Sequence, residues 1–182
     1  MADRHQLIAA LQRHKPCHER ESSSRDRMVS FIETVDDCFF RTHLAGHVTG
    51  SGMLVSADGQ RVLLNHHKFL NIWICFGGHA DGEEDILSVA LRETQEETGI
   101  DDIRLLFDGI FDVDIHAIPE NPKKGEPAHE HFDICYLLQA GHDNFVVSPE
   151  SLDMKWCAYD EAIEVCRSDE RMIRMLGKWQ AL

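Results

Sequence analysis

The segment from Gly78 to Ile100, GHADGEEDILSVALRETQEETGI, constrains this chain more than any other part of its sequence. The glycines at its start favour a tight turn, and Gly99 suits a left-handed cap at the end of a helix. At 100° per residue, a helix over about 85–98 places Glu93 and Glu97 in the same narrow sector as its apolar side chains. The sequence therefore predicts a turn followed by a helix that packs carboxylates beside its apolar face.

Glu93, Glu96 and Glu97 carry like charges at neighbouring positions of this helix, so each raises the pKa of the others unless a cation lies between them. Hard oxygen ligands, with no histidine or thiolate at helical spacing, favour Mg²⁺ or Mn²⁺ over Zn²⁺. The alternative is an acidic helix face solvated by water, but apolar side chains occupy the same sector. The pattern therefore predicts a magnesium or manganese site.

The spacing of this segment resembles the Nudix box, the signature of the Nudix hydrolase family. Thr94 departs from the pattern, because the family usually has an aliphatic residue there. A match of seven fixed residue types is expected by chance in roughly one chain in a million. The seven fixed positions are Gly78, Glu84, Arg92, Glu93, Glu96, Glu97 and Gly99, and the aliphatic Ile100 follows them.

The resemblance implies a reaction and a role for each residue of the box. Water attacks a phosphorus atom of a diphosphate linkage, while metal ions neutralise the phosphate oxygens and lower the pKa of the water. Arg92 orients Glu93 through a salt bridge. By this resemblance the catalytic residues are Glu93, Glu97 and Arg92, the metal ligands are Gly77 (through its carbonyl), Glu93, Glu96 and Glu97, and the supporting residues are Gly78, Glu84 and Gly99.

Glu93 is our first choice for the base that takes the proton from the attacking water. Members of the family differ on this point, and several use a carboxylate outside the box. In this chain Glu130, Asp133 and Glu150 are the alternatives, and the sequence does not choose among them.

Two later strands carry polar residues at every second position, and apolar residues occupy the opposite face of each strand. A half-solvated antiparallel sheet explains such alternation, but histidine and aspartate are a richer set than solvation needs. We expect these residues to bind substrate, with a zinc site on the histidines as the weaker alternative. The first strand carries Asp112, Asp114 and His116; the substrate-binding candidates are His79, His116, His129, His131 and Asp133.

The length of 182 residues predicts one domain, and the net charge of −14 argues against binding nucleic acid or an anionic membrane. No apolar run reaches the length of a membrane span, and the first residues lack the apolar core of a signal peptide. We therefore expect a soluble, cytoplasmic protein. The six cysteines form no CxxC pair, which indicates reduced thiols that fill the core.

The order of elements predicts an α/β fold. Residues 1–45 form an N-terminal extension with helices over 4–14 and 24–35, separated by a polar linker. Residues 46–182 contain a β-hairpin around Asp58-Gly59, a strand over 71–76, the box helix, further strands, and closing helices over 160–166 and 170–179. This order fits a mixed sheet flanked by helices, which the resemblance identifies as the Nudix α/β/α sandwich.

For the N-terminal helices we expect packing against the domain first, with pairing in a homodimer or shaping of the substrate pocket as alternatives. The function that the sequence favours is metal-dependent hydrolysis of a small-molecule nucleoside diphosphate linked to another moiety. Two alternatives stay open: a nucleotide-sensing Nudix module without catalysis, and an enzyme similar to isopentenyl diphosphate isomerase. The intact carboxylate set of the box argues against both.

Overall fold

A computed structural model describes residues 3–122, 125–149 and 151–182. In this part of the chain, no helix combines the length and apolar character needed to cross a membrane. The helices described are α1 (Arg4–Arg13), α2 (Glu19–Thr34), α3 (Ile86–Thr98), α4 (Tyr159–Val165) and α5 (Glu170–Gln180). The strands described are β1 (Gly46–Val55), β2 (Arg61–His67), β3 (Trp73–Ile74), β4 (Phe76–His79), β5 (Ile103–Leu105), β6 (Asp112–Ile118), β7 (His129–Ala140) and β8 (Ser151–Ala158).

The strands form one mixed sheet with β1 and β7 side by side at its centre. These two strands are parallel, in register from Gly46 opposite Glu130 to Val55 opposite Gln139. On the other edge of β1, β4 and β2 pair antiparallel with successive segments of that strand. Two strands, β6 and β5, pair antiparallel with successive segments of β7 along its far edge. The strands β3 and β8 pair with β2.

The short strand β4 contains Gly77 and Gly78 and pairs with the middle of β1, so the tight turn that the sequence predicts does not lie at these two glycines. The chain turns just after them, at Asp81 and Gly82, which have positive φ of 48° and 92°. We call the segment 77–82, which joins the two glycines to that turn, the glycine turn.

Helices cover both faces of this sheet. Side chains alternate along a strand, so the even-numbered residues of β1 and β7 face one helical layer and the odd-numbered residues face the other. The helices α1, α2 and α3 pack on the first face, and α4 and α5 pack on the second. A mixed sheet between two helical layers confirms the predicted α/β/α sandwich.

The N-terminal helices share the core of the domain, which confirms packing, the first expectation for this extension. Leu11, Met28 and Ile32 are fully buried in the same apolar cluster as the box helix α3. Phe31 stacks on Phe132 of the central strand β7, with ring centroids 3.9 Å apart. The helices α1 and α2 therefore stabilise the layer that positions the box.

The helix α2 begins at Glu19, not at Ser24, so the predicted polar linker was wrong over most of its length. Ser24 is buried inside the helix, and His18 is the N-cap. Acidic residues in the first turn stabilise the positive end of the helix. The run HERESSS has no apolar residues at helical spacing, so the sequence pattern favours a loop there.

Glu21 shows how the tertiary structure uses one of these polar residues. Its side chain is fully buried, where the His14 Nε2 atom lies 2.7 Å from one carboxylate oxygen and the Cys17 amide donates to the other at 2.9 Å. Lys178 of α5 pairs with the same carboxylate. Burial opposes the charge, but these hydrogen bonds outweigh it and hold the pKa of Glu21 well below its usual range. This ion pair ties α2 to α5.

The remaining elements follow the predictions with one further correction. The predicted strand over 71–76 is two short strands, β3 and β4, that separate at Cys75. The hairpin turn is where the sequence places it, with Gly59 at a positive φ of 73°. Cys75 and four other cysteines are buried and Cys17 is exposed; all six are free.

Candidate active site

The box helix α3 lies close to the sheet because two residues of β1 have no side chain. A methyl group on Gly50 would lie 2.9 Å from the Ile86 carbonyl, and one on Gly52 would lie 2.3 Å from the Thr94 hydroxyl. Thr94, the departure from the family pattern, is buried and satisfies its hydroxyl by donating to the Ala90 carbonyl at 2.7 Å. The helix therefore brings its carboxylates directly over the glycine turn.

The ends of α3 match the signals in the sequence. Asp85 is the N-cap, and its side chain accepts a hydrogen bond from the Ser88 amide at 3.4 Å. Gly99 adopts a φ of 69°, the left-handed conformation predicted for it, and its amide donates to Gln95. Because both ends are specified locally, the register of the carboxylates along the helix is specified as well.

Arg92 pairs with Glu93, as the resemblance implied. The guanidinium also lies 3.9 Å from a carboxylate oxygen of Glu96 and donates to the His79 carbonyl at 3.4 Å. Glu93 is partly buried, with 19% of its side chain exposed, whereas Glu96 is 64% exposed. Arg92 therefore orients Glu93 toward the glycine turn, while the Glu96 side chain stays exposed to solvent.

Glu97 anchors the other side of the turn. One carboxylate oxygen accepts a hydrogen bond from the Gly77 amide at 3.0 Å, and the other accepts one from the Asn65 side chain at 3.1 Å. Gly77 and Glu97, two predicted metal ligands, thus lie next to each other. Asn65 is a site residue that sequence reasoning missed, because nothing in strand β2 distinguishes its amide from any other buried polar side chain.

Burial raises the pKa of Glu93, and the neighbouring Glu96 raises it further, while Arg92 acts in the opposite direction. One arginine does not balance three carboxylates at positions 93, 96 and 97 of the same helix. This arrangement has a surplus of negative charge that a divalent cation would neutralise, and the magnesium or manganese site stays a prediction.

Gly78 provides the space for Glu93, and Gly78→Ala tests this. A methyl group at this position would lie 2.3 Å and 2.4 Å from carboxylate atoms of Glu93. Gly78 is not among the residues with positive φ, so alanine is compatible with the backbone. We expect the melting temperature to stay almost unchanged and turnover to fall about 100-fold, because displacing a reacting group by about 1 Å has that effect.

Gly177→Ala on α5 is the matched control, since its added methyl group meets nothing within 4 Å. Thermal unfolding and steady-state turnover of both variants measure the effect. Equal turnover in Gly78→Ala and Gly177→Ala would contradict a role for this space in catalysis.

Two predicted site residues pair with residues of the N-terminal helices, and a third lies outside the described structure. Glu84 accepts a hydrogen bond from the Arg4 amide at 3.0 Å and so contacts α1, while its support of the carboxylate cluster stays a prediction. Glu130 pairs with Arg27 at 3.0 Å, on the face of β7 opposite His131. Glu150 lies outside the described residues. The N-terminal helices, which have no counterpart in the box pattern, explain the first two placements.

The strands β6 and β7 pair antiparallel, with Asp114 opposite Asp133 and His116 opposite His131. This confirms that the polar residues of the two strands share one face. The face is not open to water, however, because α5 covers it. Arg174 of that helix donates to Asp112 at 2.9 Å and 2.6 Å and to Asp114 at 3.2 Å.

Asp112 and Asp114 are almost completely buried and differ in pKa direction. Burial raises the pKa of Asp112 more than Arg174 lowers it. For Asp114 burial acts the same way, but His116 and Arg171 outweigh it and lower the pKa. Since two carboxylates share one guanidinium, we infer that this cluster fixes the position of α5.

Asp133, predicted to bind substrate and an alternative base, has three donors around it. Thr49 and Ser51 donate to one oxygen at 2.8 Å and 2.6 Å, and Arg171 donates to the other at 3.1 Å. These contacts join β1, β7 and α5. They favour a structural role, so a substrate role for Asp133 stays a prediction.

Four histidines meet on the same face, beside the glycine turn. His47 from β1 and His79 from β4 join the predicted His129 and His131, and their ligand atoms all lie within 4.8 Å of one another. His116 packs on the edge of this cluster, 5.7 Å from His131 between ring centroids. Burial, followed by the neighbouring charges, lowers the pKa of His79 to about 4 and that of His131 further. The rings of His79 and His131 are therefore neutral at physiological pH.

Sequence reasoning missed His47 and Arg171 as members of this region. His47 begins a strand and carries no local signal, so only the parallel pairing of β1 with β7 reveals its place opposite His131. Arg171 did carry a signal. With Arg174 and Lys178 it forms a basic stripe at helical spacing on α5, which indicates an acidic partner.

Comparison with known proteins agrees with this geometry. The NUDIX domain family matches residues 46–176. A probable DHNTP pyrophosphohydrolase of Lactococcus lactis is 39% identical over 124 residues, covering 65% of this chain and 71% of that protein. An m7GpppN-mRNA hydrolase of Xenopus laevis is 28% identical over 124 residues, 64% of this chain, and this match spans only 39% of its length.

Among solved structures, a C. elegans Ap4A hydrolase has the same fold, with a TM-score of 0.55 at 22% identity over 74% of this chain and 95% of that chain. The family match covers every strand of the sheet, the glycine turn and the box helix that carries Glu93, Glu96 and Glu97. From its fold, its box and this match, the chain belongs to the Nudix family.

Proposed function

We propose that this protein hydrolyses a diphosphate linkage in a nucleoside diphosphate derivative. The observation that carries the proposal is the placement of three carboxylates of α3 against the glycine turn, where Glu97 contacts the Gly77 amide and Glu93 fills the space beside Gly78. The 39% identity to a protein described as a probable DHNTP pyrophosphohydrolase supports the same class of reaction.

The residues present fit a hard divalent cation, Mg²⁺ or Mn²⁺. All the side-chain donors of the cluster are carboxylate oxygens, and a methyl group at Gly78 would close the space between the turn and Glu93. Glu93, Glu96, Glu97 and the Gly77 carbonyl would hold the ion. When bound, it would neutralise the phosphate charge and make the attacking water more acidic.

The residues of this chain would then perform the proton transfer and the positioning. Glu93 accepts the proton from water, because its burial raises its pKa and so makes it a better base than an exposed carboxylate. Arg92 holds Glu93 in place, and Asn65 holds Glu97. Glu130 and Asp133 are weaker candidates for this base, since each forms a salt bridge with an arginine. Glu130 pairs with Arg27 of α2, and Asp133 pairs with Arg171 of α5.

The proposed substrate is a small molecule in which a nucleoside diphosphate is linked to another group. Its phosphates would lie over the glycine turn, within reach of Arg41, which pairs with Asp81 and is half exposed. Of the predicted substrate-binding histidines, His79 directly follows Gly78, and its ring lies 5.2 Å from that of His131 between centroids. A charge of −14 makes approach of such a polyanion dependent on cations.

A substrate panel tests the proposal. Nucleoside triphosphates, DHNTP, ADP-ribose, nucleotide sugars, dinucleoside polyphosphates and coenzyme A are incubated with the full chain and Mg²⁺ or Mn²⁺ in H₂¹⁸O. We expect turnover of one class, loss of turnover with EDTA, and ¹⁸O on a phosphate of one product. Glu97→Gln is the control and should be inactive toward the same compound.

Other outcomes would select the alternatives. Tight binding of a panel member with no turnover would replace the enzyme with a nucleotide-sensing module. Conversion of isopentenyl diphosphate to its isomer without release of phosphate would indicate the isomerase.

A further inference from the structure

A group of four imidazoles lies on the odd-numbered face of the sheet, outside the carboxylate cluster. His47, His79, His129 and His131 come from three different strands, and neighbouring ring centroids lie 4.9–5.2 Å apart. Their ligand nitrogens lie within 4.8 Å of one another. Solvation does not explain such a cluster, because His47 is only 3% exposed.

His47 is the first sign that a ligand is needed here. Both of its ring nitrogens are buried and have no hydrogen-bond partner. A buried imidazole without partners is unfavourable, because it gives up its hydrogen bonds to water and gains none in return. A ligand that accepts a lone pair from the ring removes this penalty.

His129 and His131 give a second, independent sign. The Nδ1 atom of His129 lies 2.8 Å from the Pro127 carbonyl, which only accepts, so Nδ1 carries a proton and the lone pair of this tautomer is on Nε2. That lone pair lies 3.2 Å from Nε2 of His131. A carbonyl that fixes the ring tautomer in this way is typical of histidines that bind metal.

The dimensions match a tetrahedral site. With Zn–N distances of about 2.0–2.1 Å, tetrahedral ligands lie about 3.3 Å apart. The His129–His131 pair is already at 3.2 Å, and the other pairs, all within 4.8 Å, close by rotation of side chains. Neutral imidazoles favour a borderline cation such as Zn²⁺ over Mg²⁺, and they do not attract an anion.

We propose that His47, His79, His129 and His131 bind one Zn²⁺ ion. Four protein ligands leave no open position, so the site is structural and joins the ends of β1, β4 and β7. His79 lies one residue from Gly78, and the ion would therefore hold the glycine turn in place. In this proposal His79, His129 and His131 bind metal instead of substrate, while the carboxylates of α3 keep their own cation.

Metal binding to the full-length protein tests the proposal without any activity assay. After removal of metals by a chelator, the protein is titrated with Co²⁺ and, separately, with Zn²⁺. We expect one strong binding site, a visible absorption spectrum typical of tetrahedral Co²⁺ that Zn²⁺ displaces, and a rise in melting temperature of about 5–10 °C at Zn²⁺ 100-fold above its dissociation constant.

The variants locate the ion. His131→Gln and the less buried His79→Gln should each lose the tetrahedral Co²⁺ spectrum and the Zn²⁺-dependent shift, with circular dichroism showing that they fold. His142→Gln, which changes a 43% exposed histidine elsewhere, and Glu97→Gln, which changes the carboxylate cluster, should retain both.

Three results would overturn the proposal. These are a wild-type Co²⁺ spectrum without tetrahedral character, unchanged Zn²⁺ binding in folded His79→Gln, and loss of Zn²⁺ binding in Glu97→Gln. A melting temperature that rises with inorganic phosphate and not with Zn²⁺ would instead identify an anion site. Since none of these readouts uses catalysis, failure here is separate from failure of the proposed hydrolase function.

Discussion

Glu93→Gln is expected to lower kcat by about 10²–10⁴-fold, the contribution typical of a general base. Glutamine has the shape of glutamate but neither its charge nor its basicity, so the side chain still fits beside Gly78 and Arg92. The melting temperature should change little, because the pair with Arg92 is partly exposed and such pairs contribute little stability. The measurement is steady-state kinetics on the substrate that the panel identifies, together with thermal unfolding.

Glu33→Gln on the exposed side of α2 is the matched control and should leave kcat unchanged. A decrease of less than about tenfold in Glu93→Gln would move the base to another carboxylate. A large decrease with equal loss of Mg²⁺ affinity would show that Glu93 acts mainly as a ligand. Calorimetric titration of Mg²⁺ or Mn²⁺ into both proteins separates these two roles.

Arg174→Met is expected to destabilise the protein by about 3–5 kcal/mol, the typical penalty for breaking a buried ion pair. Methionine fills similar volume, but it leaves Asp112 and Asp114, each 1% exposed, without their shared guanidinium. Lys178 remains on Asp112 and limits the loss. At about 2–4 °C per kcal/mol for a domain of this size, the melting temperature should fall by roughly 6–20 °C.

Arg167→Met removes an exposed arginine and is the matched control, with an expected change within about 0.5 kcal/mol. If thermal and urea unfolding give the two variants the same stability, the buried ion pairs do not position α5 as we infer. A rescue experiment makes the test sharper. Replacing Asp112 and Asp114 by asparagine in the Arg174→Met background should recover part of the stability, because no uncompensated charge then remains.

Much of the active-site region could be predicted from the sequence because its signals are local. The helical period placed Glu93 and Glu97 on one side of α3, Gly99 ended the helix, and alternation put the polar residues of β6 and β7 on a common face. Each of these inferences depends on residues only a few positions apart. The same reasoning failed for α2, because polar residues such as Glu21 are buried there. Glu21 pairs with Lys178, which lies far away in the sequence.

The sequence alone determined most of the order of helices and strands and the box helix with its carboxylates, because periodicity depends on residues close together in the chain. The resemblance of the box to the Nudix signature then implied the α/β/α fold, while the preference for a hard divalent cation stays a prediction. The tertiary structure decided what those residues contact. It buried the aspartates of β6 under the arginines of α5, placed Glu84 on α1, and brought His47 to His131 through parallel pairing of strands more than 80 positions apart. Long-range contacts of this kind depend on which elements pack together, and no local pattern encodes that.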